Sequence, residues 1–413
     1  MKQTLQIEVI KELLDHIDHH RTVDAGSVVA NPASSYTCEK LAAREWDAFF
    51  QNHPQVLGCS GDLPKPGSYM TTDDFGVPIL ATRDQNGKFH AFVNACRHRG
   101  AQLTSSPRGE QHRFSCPFHA WTYAADGRLL GVRAAEQFGA IDKSCNGLIE
   151  LPTAEQYGLL FVHPQRDGVL DIDALLGAEF ASELSTWDFG RCEYQGESVL
   201  DMPLNWKIAN DTFGEVYHFT SLHKNTLANL LHGDIATYKE YGQHHRLCLA
   251  SKYIDVMREQ PEQTWNLPMA GAIAYYLFPN TQIVILNQMM VLVRIYPNRK
   301  NIGQSLSRVS HYSAAHMVPQ ITEVERVSEL SSDNLYRPDT SAPMAFSLSA
   351  MTELFVSTVE HEDYLMGTKT QIAANSGKIE HFLFGRNEPA LHHFHNNYRS
   401  ALGMPPLEEY RAV

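Results

Sequence analysis

The chain has no apolar run approaching the about 18 residues that a membrane-spanning helix needs, so no such span is expected. It has no run of Lys or Arg either. Lys+Arg 34 against Asp+Glu 47 leaves a formal charge of −13, which disfavours nucleic acid as a partner. Cysteine is sparse. Five of the seven (Cys38, Cys59, Cys145, Cys192 and Cys248) are scattered without a repeated spacing and odd in number. A disulfide scaffold is therefore not expected, and a reducing cytoplasm fits best. No G-x-G-x-x-G follows a strand pattern, so a flavin or nicotinamide fold is not expected here. Internal repeats and low-complexity segments are absent. Met1-Lys2-Gln3-Thr4 leads into a polar amphipathic stretch rather than the apolar core of a signal peptide.

What is there suits a globular protein of two or more domains: 413 residues, 43% hydrophobic and 20% charged. Leu5, Val9, Leu13 and Ile17 mark an amphipathic helix over 4–21. A second helix is expected over 37–52, with Thr37 as its N-cap and Trp46 and Phe49 on its buried side. From about 56 to 165 the pattern is short strands (Val77–Ala81, Phe89–Val93, Leu159–Val162) and turn dipeptides (Asn86-Gly87, Asp126-Gly127). A polar connection over 163–173 leads to a strand at Cys192–Met202 and a helix over 205–223. Strands at Tyr275–Leu277, Gln282–Leu286, Met289–Tyr296 and Gln304–Tyr312 follow, then helices over 318–332 and 345–376. The expected class is α+β, a curved antiparallel sheet wrapped on a long C-terminal helix beside a small all-β domain. The expected divisions are 1–54 (helices packing on the larger domain), 55–165 and 166–413.

The densest chemistry lies in one cassette. Cys96-Arg97-His98-Arg99-Gly100 is followed, with seventeen residues between His98 and Cys116, by Cys116-Pro117-Phe118-His119-Ala120-Trp121. Each half pairs one thiolate with one imidazole in a tight loop. That set suits a [2Fe–2S] cluster with Cys96 and Cys116 on one iron and His98 and His119 on the other. Zinc is the rival, but structural zinc sites usually pair Cys with Cys and His with His. The cassette resembles that of Rieske proteins. In the respiratory branch an extra Cys in each loop forms a disulfide. Ala101 and Phe118 stand at those positions, so the resemblance is to ring-hydroxylating non-haem iron oxygenases or their ferredoxins.

A second constellation reads Asn205-Trp206-Lys207, then Asn210, Asp211, Glu215, His218 and His223. At about 100° per residue, Asp211, Glu215 and His218 share one helix face. His223 falls about 140° away from His218, so an irregularity is expected near 219–223. Ordinary helix-surface histidines are the bland alternative, in a chain with 21 of them. The oxygenase family has Asn-Trp-Lys and then acid-x-x-His-x4-His, which this sequence matches. The resemblance implies that His218 and His223 ligate a mononuclear Fe(II). It also implies that Glu215 is the acidic bridge to a cluster histidine of a neighbouring subunit. Asp363, with Gln371 eight residues on, is the implied third ligand, and Glu362, Glu360 and His361 are the alternatives. Asp211 and Asn210 are expected to orient the ligands. Phe213, Phe219, Leu222 and the 278–294 strands are candidates for pocket lining.

By this resemblance the chain is an α-type terminal oxygenase with a helix-grip catalytic domain. It takes electrons from a separate NAD(P)H-dependent reductase, with or without a ferredoxin, and uses O2 to hydroxylate an organic substrate. An aromatic or apolar ring is expected. A methylated or quaternary ammonium substrate is the alternative, and a non-catalytic electron carrier the remote one. The family implies a homotrimer, or three α with three small β subunits, without nucleic acid or membrane.

Overall fold

The computed structural model describes residues 1–319, 322–324 and 344–411. They form two compact units. One comprises Asp47–Leu175 with Asp188–Arg191, and the other Met1–Trp46, Leu176–Trp187 and Cys192–Val413. The divisions thus fall near 47 and 175 rather than at 55 and 165. Gln55 anchors its Nε2 on the Phe49 carbonyl (2.7 Å), tying 47–54 to the smaller unit.

The smaller unit is built from antiparallel sheets. Five strands run in the order Glu150–Leu151, Phe89–Val93, Ile79–Arg83, Ser68–Thr72, Arg108–Glu110. Three more pair as Thr153–Gln156, Leu159–Val162 and Gln55–Cys59. A third sheet orders Arg113–Ser115, Thr122–Ala124 and Leu129–Gly131. The two turn dipeptides join neighbouring strands as expected, with Gly87 at φ +79° and Gly127 at φ +81°. The cassette halves sit on two loops: 96–101 follows the Phe89–Val93 strand, and 116–121 links Arg113–Ser115 to Thr122–Ala124.

The larger unit holds a seven-stranded antiparallel sheet. Its order is Glu193–Met202, Ser305–Ser313, Met289–Pro297, Thr281–Leu286, Gly271–Leu277, His244–Ser251, Leu231–Tyr241. The last two strands carry three His together with Asp234, Lys239, Glu240 and Arg246, which hid their alternation in the sequence. Helix Gln3–Asp18 packs on this unit. Its Gln6 side chain accepts from Leu267 N (2.9 Å), and His16 Nδ1 meets the Ala236 carbonyl at 2.9 Å. The second helix is only Glu39–Glu45. Its N-cap is Cys38, without a side-chain cap, rather than Thr37.

Three other expectations change. The helix over 205–223 is broken into Trp206–Asp211 and the single turn Phe219–Leu222. Between them Phe213 N bonds Asn210 O and Gly214 N bonds Asp211 O, tight i to i−3 turns that end the α-helix. The helix over 345–376 is Leu348–Thr358 and Tyr364–Asn375, joined by a π turn at Val359–Asp363. Of the helix expected over 318–332, Thr322–Val324 is a short strand parallel to Met344–Phe346. Residues 320, 321 and 325–332 lie outside the described residues.

Asn205-Trp206-Lys207 locks the site's scaffold. Asn205 caps its helix by accepting from Lys207 N (3.0 Å), and its own N–H reaches Gln371 Oε1 (2.8 Å) on the Tyr364–Asn375 helix. Lys207 Nζ and Trp206 Nε1 both meet the Glu45 carboxylate at 2.7 Å, and Tyr398 also donates to it. Lys207 and Glu45 are 1% and 2% exposed, so neither charge has water to fall back on. Glu45→Ala, which strips the counter-charge from buried Lys207, is expected to cost about 3–5 kcal/mol. Calorimetric unfolding of the two proteins side by side measures it.

Candidate metal centres

The two cassette loops are copies of each other in hydrogen bonding. Cys96 N bonds Ala101 O (2.8 Å) and Gly100 N bonds Cys96 O (2.8 Å). Likewise Cys116 N bonds Trp121 O (2.8 Å) and Ala120 N bonds Cys116 O (2.9 Å). The fifth position of each loop has positive φ, +73° at Gly100 and +58° at Ala120. Gly adopts this freely, and Ala does so at a cost of about 1–2 kcal/mol. Both thiols are buried and in no disulfide. The His98 and His119 rings lie 4.6 Å apart, and Trp121 stacks on His98 at 5.3 Å.

These donors fit a binuclear cluster better than a single ion. His98 Nδ1 is buried without a hydrogen-bond partner, a cost a metal bond would remove. Among the described residues, only His218, His223 and Asp363 gather three metal-ligating atoms within 4.8 Å. The four cassette donors do not converge so closely. One tetrahedral zinc would require it, and two irons would not. Tyr123 reaches this site as well. Its hydroxyl accepts from Arg97 N (3.0 Å) and lies 3.3 Å from Cys96 Sγ. Burial and the Cys96 contact hold its phenol above the ordinary range, so the proton stays on oxygen and faces sulfur.

In the larger unit the breaks in both helices bring three donors together. His218 precedes the one-turn helix and His223 follows it, which removes the about 140° separation of an unbroken helix. Their Nε2 atoms stand 3.0 Å apart. Asp363 closes the π turn, and its Oδ1 is 3.2 Å from His218 Nε2 and 3.1 Å from His223 Nε2. That oxygen is buried and aligned for a hydrogen bond with neither. Octahedral ligands on one face, at bonds of about 2.1 Å, stand about 3.0 Å apart, and tetrahedral ones about 3.4 Å. The observed spacing fits a facial two-His, one-carboxylate set.

Each imidazole is held from behind. Glu215 contacts His218 Nδ1 in a short hydrogen bond and accepts from His218 N at 3.2 Å. Glu362 meets His223 Nδ1 at 2.7 Å and accepts from Thr226 at 3.0 Å. A carboxylate behind a ligating histidine fixes the ring and raises its basicity. Burial opposes charge on His218, but Asp363 and Glu215 outweigh it and raise its pKa to about 10. His223 moves up likewise against burial, through Asp363 and Glu362. Burial also works against the Asp363 carboxylate, and the two imidazoles overcome it and hold it below its ordinary range. A metal entering this site therefore displaces protons.

The sequence candidates are sorted by these contacts. Glu362 stands behind a histidine rather than in the triad. Glu360 and His361 face each other at 4.0 Å, with His361 70% exposed. Asp211 and Asn210 do not touch the triad. Asp211 accepts from Tyr36 (2.7 Å) and meets His395 Nε2 (2.9 Å), and Asn210 accepts from Gln282 (2.9 Å). The helix ends at Asp211, so its face does not continue to His218. Glu45, Tyr36 and His395 carried no local signal, because their partners are distant in sequence.

A cavity of about 100 Å3 opens on the triad. Phe213, Phe219 and Phe355 line it, with Leu247, Leu249, Ala272, Ala274, Val284 and Leu286 from the sheet. Leu222 lines instead a recess of about 470 Å3, which also includes Glu215, Asp211 and Glu388. Burial, and then Glu215 and Asp211, push the Glu388 carboxyl up to about 7. Among the described residues no helix is long and apolar enough to cross a membrane.

Comparison with known proteins finds a family for each of the two domains. A family model for the Rieske [2Fe-2S] domain matches residues 53–153. One for the ring hydroxylating alpha subunit (catalytic domain) matches 189–304 and 308–404. The large subunit of anthranilate 1,2-dioxygenase from Acinetobacter baylyi is 35% identical over 203 residues, 48% of this chain and 43% of that protein. The oxygenase subunit of glycine betaine monooxygenase from Chromohalobacter salexigens is 31% identical over 205 residues, 49% of this chain and 45% of that one. The chain thus spans about half the length of the curated relatives it matches. A quaternary ammonium Rieske monooxygenase, solved for carnitine oxidation by gut microbiota and inter-subunit electron transfer, shares the fold. Its TM-score is 0.70 at 19% identity, over 91% of this chain and 95% of that one.

Proposed function

We propose that this chain, which belongs to the Rieske-type ring-hydroxylating oxygenase α subunits, works as the terminal oxygenase of a non-haem iron system. The family's cofactors are a [2Fe–2S] cluster and a mononuclear iron. When bound, they supply single-electron transfer and activation of O2 at an iron with open positions. Cys96, His98, Cys116 and His119 hold the cluster, and His218, His223 and Asp363 hold the iron. Glu215 holds His218 and links the iron site to a cluster histidine of a neighbouring copy. Oligomerisation is then part of the mechanism. Electrons come from NAD(P)H through a separate reductase, with or without a ferredoxin. Glu362 orients His223, while the apolar sheet wall and the phenyl rings seat the substrate and keep water out.

The observation that carries this reading is the 3.0–3.2 Å triangle of His218, His223 and Asp363 beneath an apolar cavity. Its walls favour an aromatic or other apolar ring. A quaternary ammonium substrate is the second reading, favoured by Phe213, Phe219 and Phe355, whose faces could receive a cation. A surrogate reductase, NADH and a panel of rings and methylated amines test both, by O2 uptake and product mass. Oxygenated product with matching O2 consumption is expected. Product gaining mass without O2 consumption would overturn the oxygenase reading.

The cluster assignment has its own test. Arg97 N occupies a lone pair of the Tyr123 oxygen, so the hydroxyl donates towards Cys96 Sγ. Donation to a cluster sulfur favours the reduced form. Tyr123→Phe should lower the cluster potential by about 40–60 mV, the equivalent of one neutral hydrogen bond for one electron. A redox titration followed by visible absorbance reads it.

A further inference from the structure

Between the sheet and the Leu348–Thr358 helix, two side chains break the rule that buried polar groups are paired. Thr358 lines the cavity over the triad, is 3% exposed, and its Oγ1 has no hydrogen-bond partner. A helical threonine can satisfy its hydroxyl by bonding a carbonyl one turn back. Thr212 and Thr370 do so, to Ala209 O at 2.9 Å and Met366 O at 3.2 Å, but Thr358 does not. His311 is 2% exposed, and both of its ring nitrogens lack partners.

Strand register sets His311 on the cavity's face of the sheet, two strands beyond Val284 of its wall. His311 is opposite Val291, Val291 opposite Val284, and Val284 opposite Ala274. Directly paired residues share a face of the sheet. His311 therefore stands on the face whose Val284 and Ala274 line the cavity. The same face carries Met289, which accepts a contact from Thr352 of the helix at 3.8 Å. His311 and Thr358 thus occupy the same layer.

The chemistry of the pair narrows what it can take. Burial, against the pull of Glu197, holds His311 neutral with its pKa down to about 4. A neutral imidazole offers one donor and one acceptor, and a hydroxyl offers both. No Lys or Arg lines the cavity among the described residues, so away from the metal a carboxylate there would lack a counter-charge. A quaternary ammonium carries no N–H and would leave both groups unsatisfied.

We infer that the cavity takes a ring bearing one neutral hydrogen-bonding substituent (a hydroxyl, carbonyl or amide) received by Thr358, with His311 as the second partner along the same face. The inference rests on the oxygenase reading for the site's purpose. Thr358 and His311 are specificity-determining residues in this account.

Phenol and toluene test it, because they match in shape and differ in hydroxyl against methyl. Their affinities for the anaerobic, iron-loaded protein are measured by equilibrium dialysis. From wild type to Thr358→Val, the preference for phenol relative to toluene should fall about tenfold, one neutral hydrogen bond. Thr358→Ser should restore it, and His311→Leu should lower it by about threefold. Removing an unpartnered buried hydroxyl should leave Tm unchanged or raised. A lowered Tm in Thr358→Val would mean a structural partner and overturn the inference. So would an unchanged phenol-to-toluene ratio, or tetramethylammonium displacing phenol better than toluene does. If the preference behaves as expected but no substrate drives O2 uptake, the oxygenase reading fails and the binding site stands.

Discussion

Asp363→Ala is expected to empty the mononuclear iron site, to below about a tenth occupancy, while leaving the cluster spectrum intact. Its carboxylate is the only anion in the triangle. Without it, two Nε2 atoms remain 3.0 Å apart with nothing between them to draw a cation. Losing a partner behind a ligand already costs about 10–100-fold in metal affinity, and losing the ligand costs more. Substrate-coupled O2 uptake should fall by about 1,000-fold or beyond. The cassette belongs to the other compact unit, so its absorbance and the reduced-state paramagnetic signal should persist. Iron per chain, measured alongside the visible spectrum, decides the matter. A variant that keeps all its iron moves the third ligand elsewhere, with Glu362 the first residue to examine.

Glu215→Gln should keep both centres when iron is supplied in excess, yet slow oxidation of the reduced cluster by about 100-fold. In the wild type one Glu215 oxygen takes His218 Nδ1 and the other takes His218 N. An amide keeps the shape but loses the charge that raises the histidine's basicity. Stopped-flow mixing of the reduced protein with O2 and substrate follows the cluster directly. Glu215→Asp retains the charge on a shorter arm and should recover part of the rate. A Gln variant that reoxidises at the wild-type rate would remove Glu215 from the electron path.

Much of this was legible in the residue order, for a physical reason. The cassette ligands lie within two or three residues of each other in each half, so the backbone alone holds them near. Glu215 and His218 are equally local. The turns at Asn86-Gly87 and Asp126-Gly127 were readable because glycine at positive φ is a local property. Less could be read where packing overrides periodicity. The heptad-like face through Asp211 suggested one helix to 223. A continuous helix would keep the His218 and His223 nitrogens apart, and the chain breaks it at 212–218. Ala120 carries no outward mark of its positive φ. The strands Leu231–Tyr241 and His244–Ser251 bury polar side chains, so alternation did not reveal them.

The sequence by itself determined which atoms are offered: two thiolates, four imidazoles and a set of carboxylates, with spacings that separate a binuclear cluster from a zinc finger. Only the tertiary structure decided which carboxylate joins which histidine. His223 and Glu362 are 139 residues apart and meet at 2.7 Å. Covalent spacing constrains near neighbours and says little about such a pair. Their meeting depends on the sheet, the π turn, and Lys207 and Asn205 tying the histidine-bearing segment to Glu45 and Gln371. The unsatisfied Thr358 of the cavity, and His311 farther along the same sheet face, are likewise facts of packing, visible only once each buried polar atom is matched with its partner.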